Sequence, residues 1–226
     1  MVTTSVRVSR PDFQRWAAHA GVAGPVLFTA GFFVQEALRR GDYSRVADPI
    51  SALEADPRGW IQQLNFLVFA VLLTIFAVGL HRGIAKARYG WAGPALLGVA
   101  AVGLALAAVF PLREDPAGEP YDPGHHVIAG VTFFSCSALA LVVLSRRFAA
   151  DPWWRGLARY VGVAGILGLG CFVLLGRFAM PGGAPLHEVA GLLQRMTVLA
   201  VTFPALVAMA LRLRRLACRP PALTRS

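Results

Sequence analysis

The chain has 226 residues, of which 56% are hydrophobic and 15% charged, and its mean hydropathy is +0.58. A water-soluble domain carries roughly 25% charged residues, so a soluble fold cannot hide this much apolar surface and the surplus must face lipid. The net charge of +10 excludes little alone, but it is dealt out in short runs between apolar stretches. With no continuous basic stripe or interleaved aromatic platform, that pattern argues against a nucleic-acid partner.

In chain order, residues 1–15 form a basic tail (Arg7, Arg10, Arg15), followed by a first apolar run from Trp16 to Leu38. That run is too long for a signal h-region and ends in Glu36, Arg39 and Arg40 rather than in small residues, so it reads as an uncleaved span. Further runs cover Trp60–Leu80, Trp91–Leu112, His125–Leu144, Arg159–Gly176 and Val189–Leu211. Each is near the ~20 helical residues that cross a ~30 Å hydrocarbon core. Lipid leaves no partner for open backbone groups, and no alternating ten-residue strands occur, so the expected fold is an all-α bundle of six transmembrane helices. Residues 16–212 make this one domain, and 213–226 form a basic C-terminal tail. No pair of broken helices, the mark of a midplane transport site, is visible.

Fifteen of the Lys and Arg residues fall in the two tails and the second and fourth connections, against six at the other ends of the spans. The positive-inside rule then places both termini in the cytoplasm, with the chain in a cell membrane. Small residues in the third span (Ala101, Gly103, Ala105, Ala107) and the fifth (Ala164, Gly168) predict close helix contacts. Cys136, Cys171 and Cys218 form no CxxC pair and read as packing residues.

Polar residues gather at the outer ends of the spans: Gln35 and Glu36, Gln62, Gln63 and Asn65, His125 and His126, Glu188, Gln194 and Arg195. Arg195 lies ~10 Å inside the sixth span at 1.5 Å per residue. A mid-membrane arginine costs ~2.5–3.5 kcal/mol and should face inward toward a partner, for which Glu188 on the same helical face and Glu36 are candidates. In the first connection, Ser51 and Glu54 have capping-box spacing and predict a short interfacial helix, entered by the Asp48-Pro49 turn. The third connection, with Glu114, Asp115, Glu119 and Asp122, reads as a solvated acidic loop or a lid for cations. His125, His126 and His187 are the weak candidates for a divalent metal, with Asp48, Asp115 or Asp122 as oxygen donors, although no H-x-x-x-H spacing supports it.

Three stretches together resemble a known family. They are Asp48-Pro49-Ile50-Ser51; Phe110-Pro111 followed by an acidic loop and Gly124-His125-His126; and Gly191-Leu192-Leu193-Gln194-Arg195. Their order and spacing resemble the bacterial six-span membrane proteins catalogued as domain of unknown function 998, over about Gly21 to Arg212. The resemblance implies a six-helix membrane protein without a settled activity, and it points to Asp48, Ser51, one of the paired histidines (His126 preferred) and Arg195.

The expected site is therefore an outward polar cluster of Asp48, Ser51, Asp115, His126, Glu188 and Arg195 that binds a lipid headgroup or small solute, with Arg195 as the anion contact. The alternatives are a membrane-embedded hydrolase or transferase acting on lipid with His126, Asp48 or Asp115, with or without a metal, and a purely structural role.

Overall fold

The computed structural model describes residues 11–39, 43–85, 90–114, 120–122 and 124–218. Asp115 and the C-terminal tail beyond 218 lie outside the described residues. The first four spans are α1 (Pro11–Leu38), α2 (Trp60–Gly83), α3 (Ala92–Val109) and α4 (His126–Ala149). The fifth is α5 (Arg155–Leu174), continued by a π-helical turn over Leu175–Ala179. The sixth begins in a 3-10 turn, His187–Val189, and runs through α6 (Ala190–Met196) and a π segment, Thr197–Thr202, into α7 (Phe203–Ala217). Among the described residues, six helices are thus long and apolar enough to cross a membrane. The only strands among the described residues are a two-residue ladder, Arg113 against Tyr121 and Glu114 against Pro120.

Several helices outrun their apolar runs, because polar and basic residues such as Gln14, Arg15, Arg146 and Arg155 continue the helix past the hydrocarbon edge. The π segment in the sixth span has a local cause. Pro204 sits in the first turn of α7, offers no N–H and crowds the carbonyl four residues back, so the helix widens just before it. Thr197 Oγ1 donates to Leu193 O at 2.8 Å and Thr202 Oγ1 to Thr197 O at 3.2 Å, giving those carbonyls partners in an environment without water. The backbone at both ends of this segment stays helical, so the span is widened but not unwound.

The helices form a ring in which neighbours in sequence are neighbours in space, closed by α7 against α1. Small residues set the close approaches. Gly103 of α3 lies so near α4 that a Cβ there would meet Phe133 N at 2.8 Å. Gly165 and Gly168 of α5 lie similarly against Val142 and Ala138 of α4. At mid-bundle, Phe28, Phe69, Phe133 and Phe203 from four helices pack together, Phe69 meeting Phe133 and Phe203 edge to face at 6.2 and 5.4 Å between centroids and Phe28 at a tilt at 5.3 Å. The outside is apolar on every span, as at Val26, Leu64, Val102, Val131 and Ile166. Trp16, Trp60, Trp91 and Trp153, at span ends, are all more than half exposed, as in an interfacial aromatic belt.

The two ends of the bundle differ. At the end of the second and fourth connections, Trp154 stacks on Phe148 with centroids 4.6 Å apart and donates to Gly83 O, while Asp151 Oδ2 accepts from Ala85 N. The first, third and fifth connections share the opposite end, where the polar residues converge.

Candidate functional site

The first connection turns over that end on a short 3-10 helix, Ile50–Ala55, as the sequence leads one to expect, but no capping box starts it. Its N-terminal donor, Ile50 N, is taken by Gln194 Oε1 at 2.7 Å across the bundle. Glu54 is turned inward rather than back along its own helix. Four of its five companions in the segment are buried apolar residues, so the carboxyl goes down with them.

Arg195 is the keystone of one half of the site. Its Nε and Nη2 donate to Glu36 Oε1 at 3.0 and 2.5 Å, its Nη1 donates to Asp48 O at 2.9 Å, and Nη2 also reaches the Tyr43 hydroxyl. The Glu36 side chain is fully buried and that of Arg195 is 7% exposed. The half-exposed Arg45 brings its Nε to 3.1 Å from Glu36 Oε2, an ion-pair contact without hydrogen-bond alignment. Tyr43 donates to Pro49 O at 3.1 Å, and the guanidinium groups of Arg39 and Arg195 lie 5.3 and 5.6 Å from its ring centroid. Burial is the main reason its hydroxyl is pushed up to about 12; the neighbouring Arg195 charge pulls the other way.

The predicted cluster is thus only partly assembled. Asp48 meets Arg195 through its backbone carbonyl, while its carboxylate caps a turn at Ser44 N, 2.6 Å away. Glu188 is exposed in the 3-10 turn and is not the partner of Arg195; Glu36 is. His125 is exposed, with its ring on Phe110 at 4.9 Å, and the exposed His187 bonds Ala179 O at the end of the fifth span. Asp122 accepts from the backbone N–H groups of Gly124, His125, His126 and Val127, between 2.8 and 3.1 Å, and so organises the start of α4. Burial pushes its carboxyl up, but these four donors together outweigh that and hold it below the usual carboxylate range. No group of three metal-ligand side chains converges among the described residues.

The other half of the site centres on His126. Its Nδ1 lies 3.2 Å from Glu54 Oε2 and 3.0 Å from Phe110 O, and Glu54 Oε2 also accepts from Leu112 N at 3.4 Å. Burial pushes the Glu54 carboxyl from about 4.5 up to about 8, partly offset by the Leu112 donor, so at neutral pH it is mostly a neutral acid. Between these two values the folded state holds a proton that the unfolded chain has released, so the stability contributed by Glu54 is fully present below about 4.5 and is lost as pH rises through about 8. Thermal unfolding in detergent should show the midpoint falling over this range for the wild type and much less for Glu54→Gln.

Ser51, His126 and Gln194 are the polar side chains lining a cavity of about 480 Å³, whose remaining walls are apolar residues such as Phe28, Phe66, Phe133, Phe134, Phe172 and Val198. Ile50 N must face the carbonyl oxygen of Gln194, which leaves the amide N–H₂ without a partner among the described residues. The Ser51 hydroxyl likewise has none among them. On the α4 side the cavity reaches the outer surface of the bundle, because the same residues that line it are exposed there. Deeper in the bundle α5 packs closely on α4, where Cβ atoms at Gly162 and Gly168 would lie 3.0 Å from Ser145 Oγ and 3.1 Å from Ala138 Cβ. At the site end, Gly130 and Gly176 line the cavity with nothing within 4 Å of a Cβ, and the lining residues Val127 and Val131 are 64% and 47% exposed.

A six-span helical bundle with an apolar cavity open to its lipid-facing side belongs to the multi-pass membrane proteins. Within them, this chain is a member of the family described as protein of unknown function (DUF998), which matches it over residues 22–211. No curated protein and no solved structure matches the chain.

Sequence reasoning missed Tyr43, the role of Gln194 and the pairing of Glu54 with His126. The one available signal was Glu54 itself, a lone carboxyl in a stretch, Ile50–Ala55, that is apolar but for Ser51.

Proposed function

We propose that this protein binds a membrane lipid, taking the hydrocarbon tail into the cavity at the site end of the bundle and the polar head against Ser51, His126 and Gln194. The single observation that carries this reading is an apolar cavity of about 480 Å³, within the range of known small-molecule sites, whose α4 wall at Val127 and Val131 is itself exposed on the outside of the bundle. A cavity that reaches the outer surface there draws its ligand from the bilayer. The Lys and Arg bias supports an orientation with both termini in the cytoplasm and the site end on the far side, and the resemblance to bacterial six-span proteins supports a bacterial inner membrane as the location. The role is that of a sensor, carrier or accessory factor.

The test is a cavity-filling variant. Gly130 is interior to α4, and a Cβ there would meet no atom within 4 Å. Gly130→Leu should therefore fold at least as well as the wild type, since leucine is the better helix former by up to about 1 kcal/mol. Native mass spectrometry of detergent-purified protein should show lipid adducts on the wild type, reduced at least tenfold in Gly130→Leu at unchanged thermal stability. Equal adducts on both proteins, or none on the wild type, would sink the reading.

A further inference from the structure

A hydrocarbon tail gains little by leaving the bilayer for this cavity, because lipid tails are as apolar as the phenylalanine and valine walls. Discrimination among lipids must therefore come from the head. Resting on the lipid-binding reading, we infer that the site selects a single-chain amphiphile with an uncharged, hydrogen-bonding head, of the monoacylglycerol type, over anionic amphiphiles of equal chain length.

Three observations carry this. First, the described residues lining the cavity include no Lys, Arg, Asp or Glu. A charged head placed there would lose its hydration without gaining a counter-ion. Second, the nearby cation expected to receive an anion is already engaged: Arg195 is spent on Glu36, Asp48 O and Tyr43, and its side chain is almost fully buried. Third, the groups that do reach the cavity suit ester and hydroxyl oxygens. Gln194 offers an unpartnered N–H₂ held in place by the bond from Ile50 to its oxygen, and Ser51 offers a hydroxyl free to donate or accept. The His126 ring is fixed through Nδ1 by Glu54 and Phe110. Glu54 adds no charge behind it at neutral pH, because burial keeps the carboxyl mostly protonated.

The experiment is a paired titration of the full-length wild-type chain in detergent with a monoacylglycerol and with a lysophosphatidate of the same acyl chain, followed by native mass spectrometry. The monoacylglycerol should bind at least tenfold more tightly. Ser51→Ala, which removes a hydroxyl with no protein partner among the described residues, should narrow that ratio several-fold at unchanged thermal stability. Equal binding, or tighter binding of the lysophosphatidate, overturns the selectivity and leaves the lipid-binding reading standing. If neither probe binds and Gly130→Leu changes nothing, both fall together.

Discussion

Arg195→Ala is expected to cost about 3–5 kcal/mol of folding stability, because it strands a buried carboxylate rather than because it removes a favourable pair. Glu36 is fully buried and takes two of its hydrogen bonds from this one guanidinium. Without Arg195 only Arg45 remains, at 3.1 Å but half in solvent. The same deletion leaves Asp48 O and the Tyr43 hydroxyl short of a donor. Lysine is a poor rescue, since its single ammonium cannot serve Glu36, Asp48 O and Tyr43 in the planar fork that arginine presents. Arg195→Met combined with Glu36→Leu should recover much of the loss, as buried ion pairs replaced by apolar groups of similar volume often do. Thermal unfolding in detergent checks all three. An Arg195→Ala protein as stable as the wild type but stripped of lipid would return the arginine to the role of an anion contact.

How much of this was legible beforehand follows from what each feature depends on. The spans were readable because a lipid environment demands long apolar runs, and their order fixed the two ends of the bundle. Arg195 was readable as an anomaly for the same reason. Its partner was not. Extrapolating seven residues back along a continuous α-helix put Glu188 on its face, but residues 187–189 form a 3-10 turn, so the rotation per residue assumed for that step does not hold. Likewise, the S-x-x-E spacing of Ser51 and Glu54 is a local rule, and it yielded to a contact 144 residues away when Gln194 took the Ile50 donor. The cavity was the least visible feature. It is enclosed by residues from all six spans and the first connection, and no residue pattern in any one of them encodes the space left between them. Composition could announce a membrane bundle and a polar end; the shape of that end depended on tertiary packing.

Gly191→Ala should destabilise by about 2–4 kcal/mol through overpacking and lost hydrogen bonds, despite the better helix propensity of alanine. A Cβ at 191 would stand 2.1 Å from Asp48 O and 2.7 Å from Asp48 C. Those are backbone atoms, so the clash cannot be relieved by turning a side chain. The segment it displaces is held by bonds from Gly191 N to Ala47 O at 3.0 Å and from Leu192 N to Val46 O at 2.9 Å, which satisfy otherwise orphaned donors in the first turn of α6. Asp48 O is also the acceptor for Arg195 Nη1, and the new Cβ would lie 2.8 Å from that nitrogen. Glycine at 191 and arginine at 195 therefore seat the first connection on α6 as one device, the glycine by permitting the approach and the arginine by bonding what approaches. Two changes to one device do not add. The combined Gly191→Ala, Arg195→Ala protein should lose less stability than the two single losses summed, by roughly 0.5–3 kcal/mol in a double-mutant cycle. Strict additivity would mean that the glycine contact and the arginine bond secure separate parts of the connection, and Asp48 would then lose its place as the point where they meet.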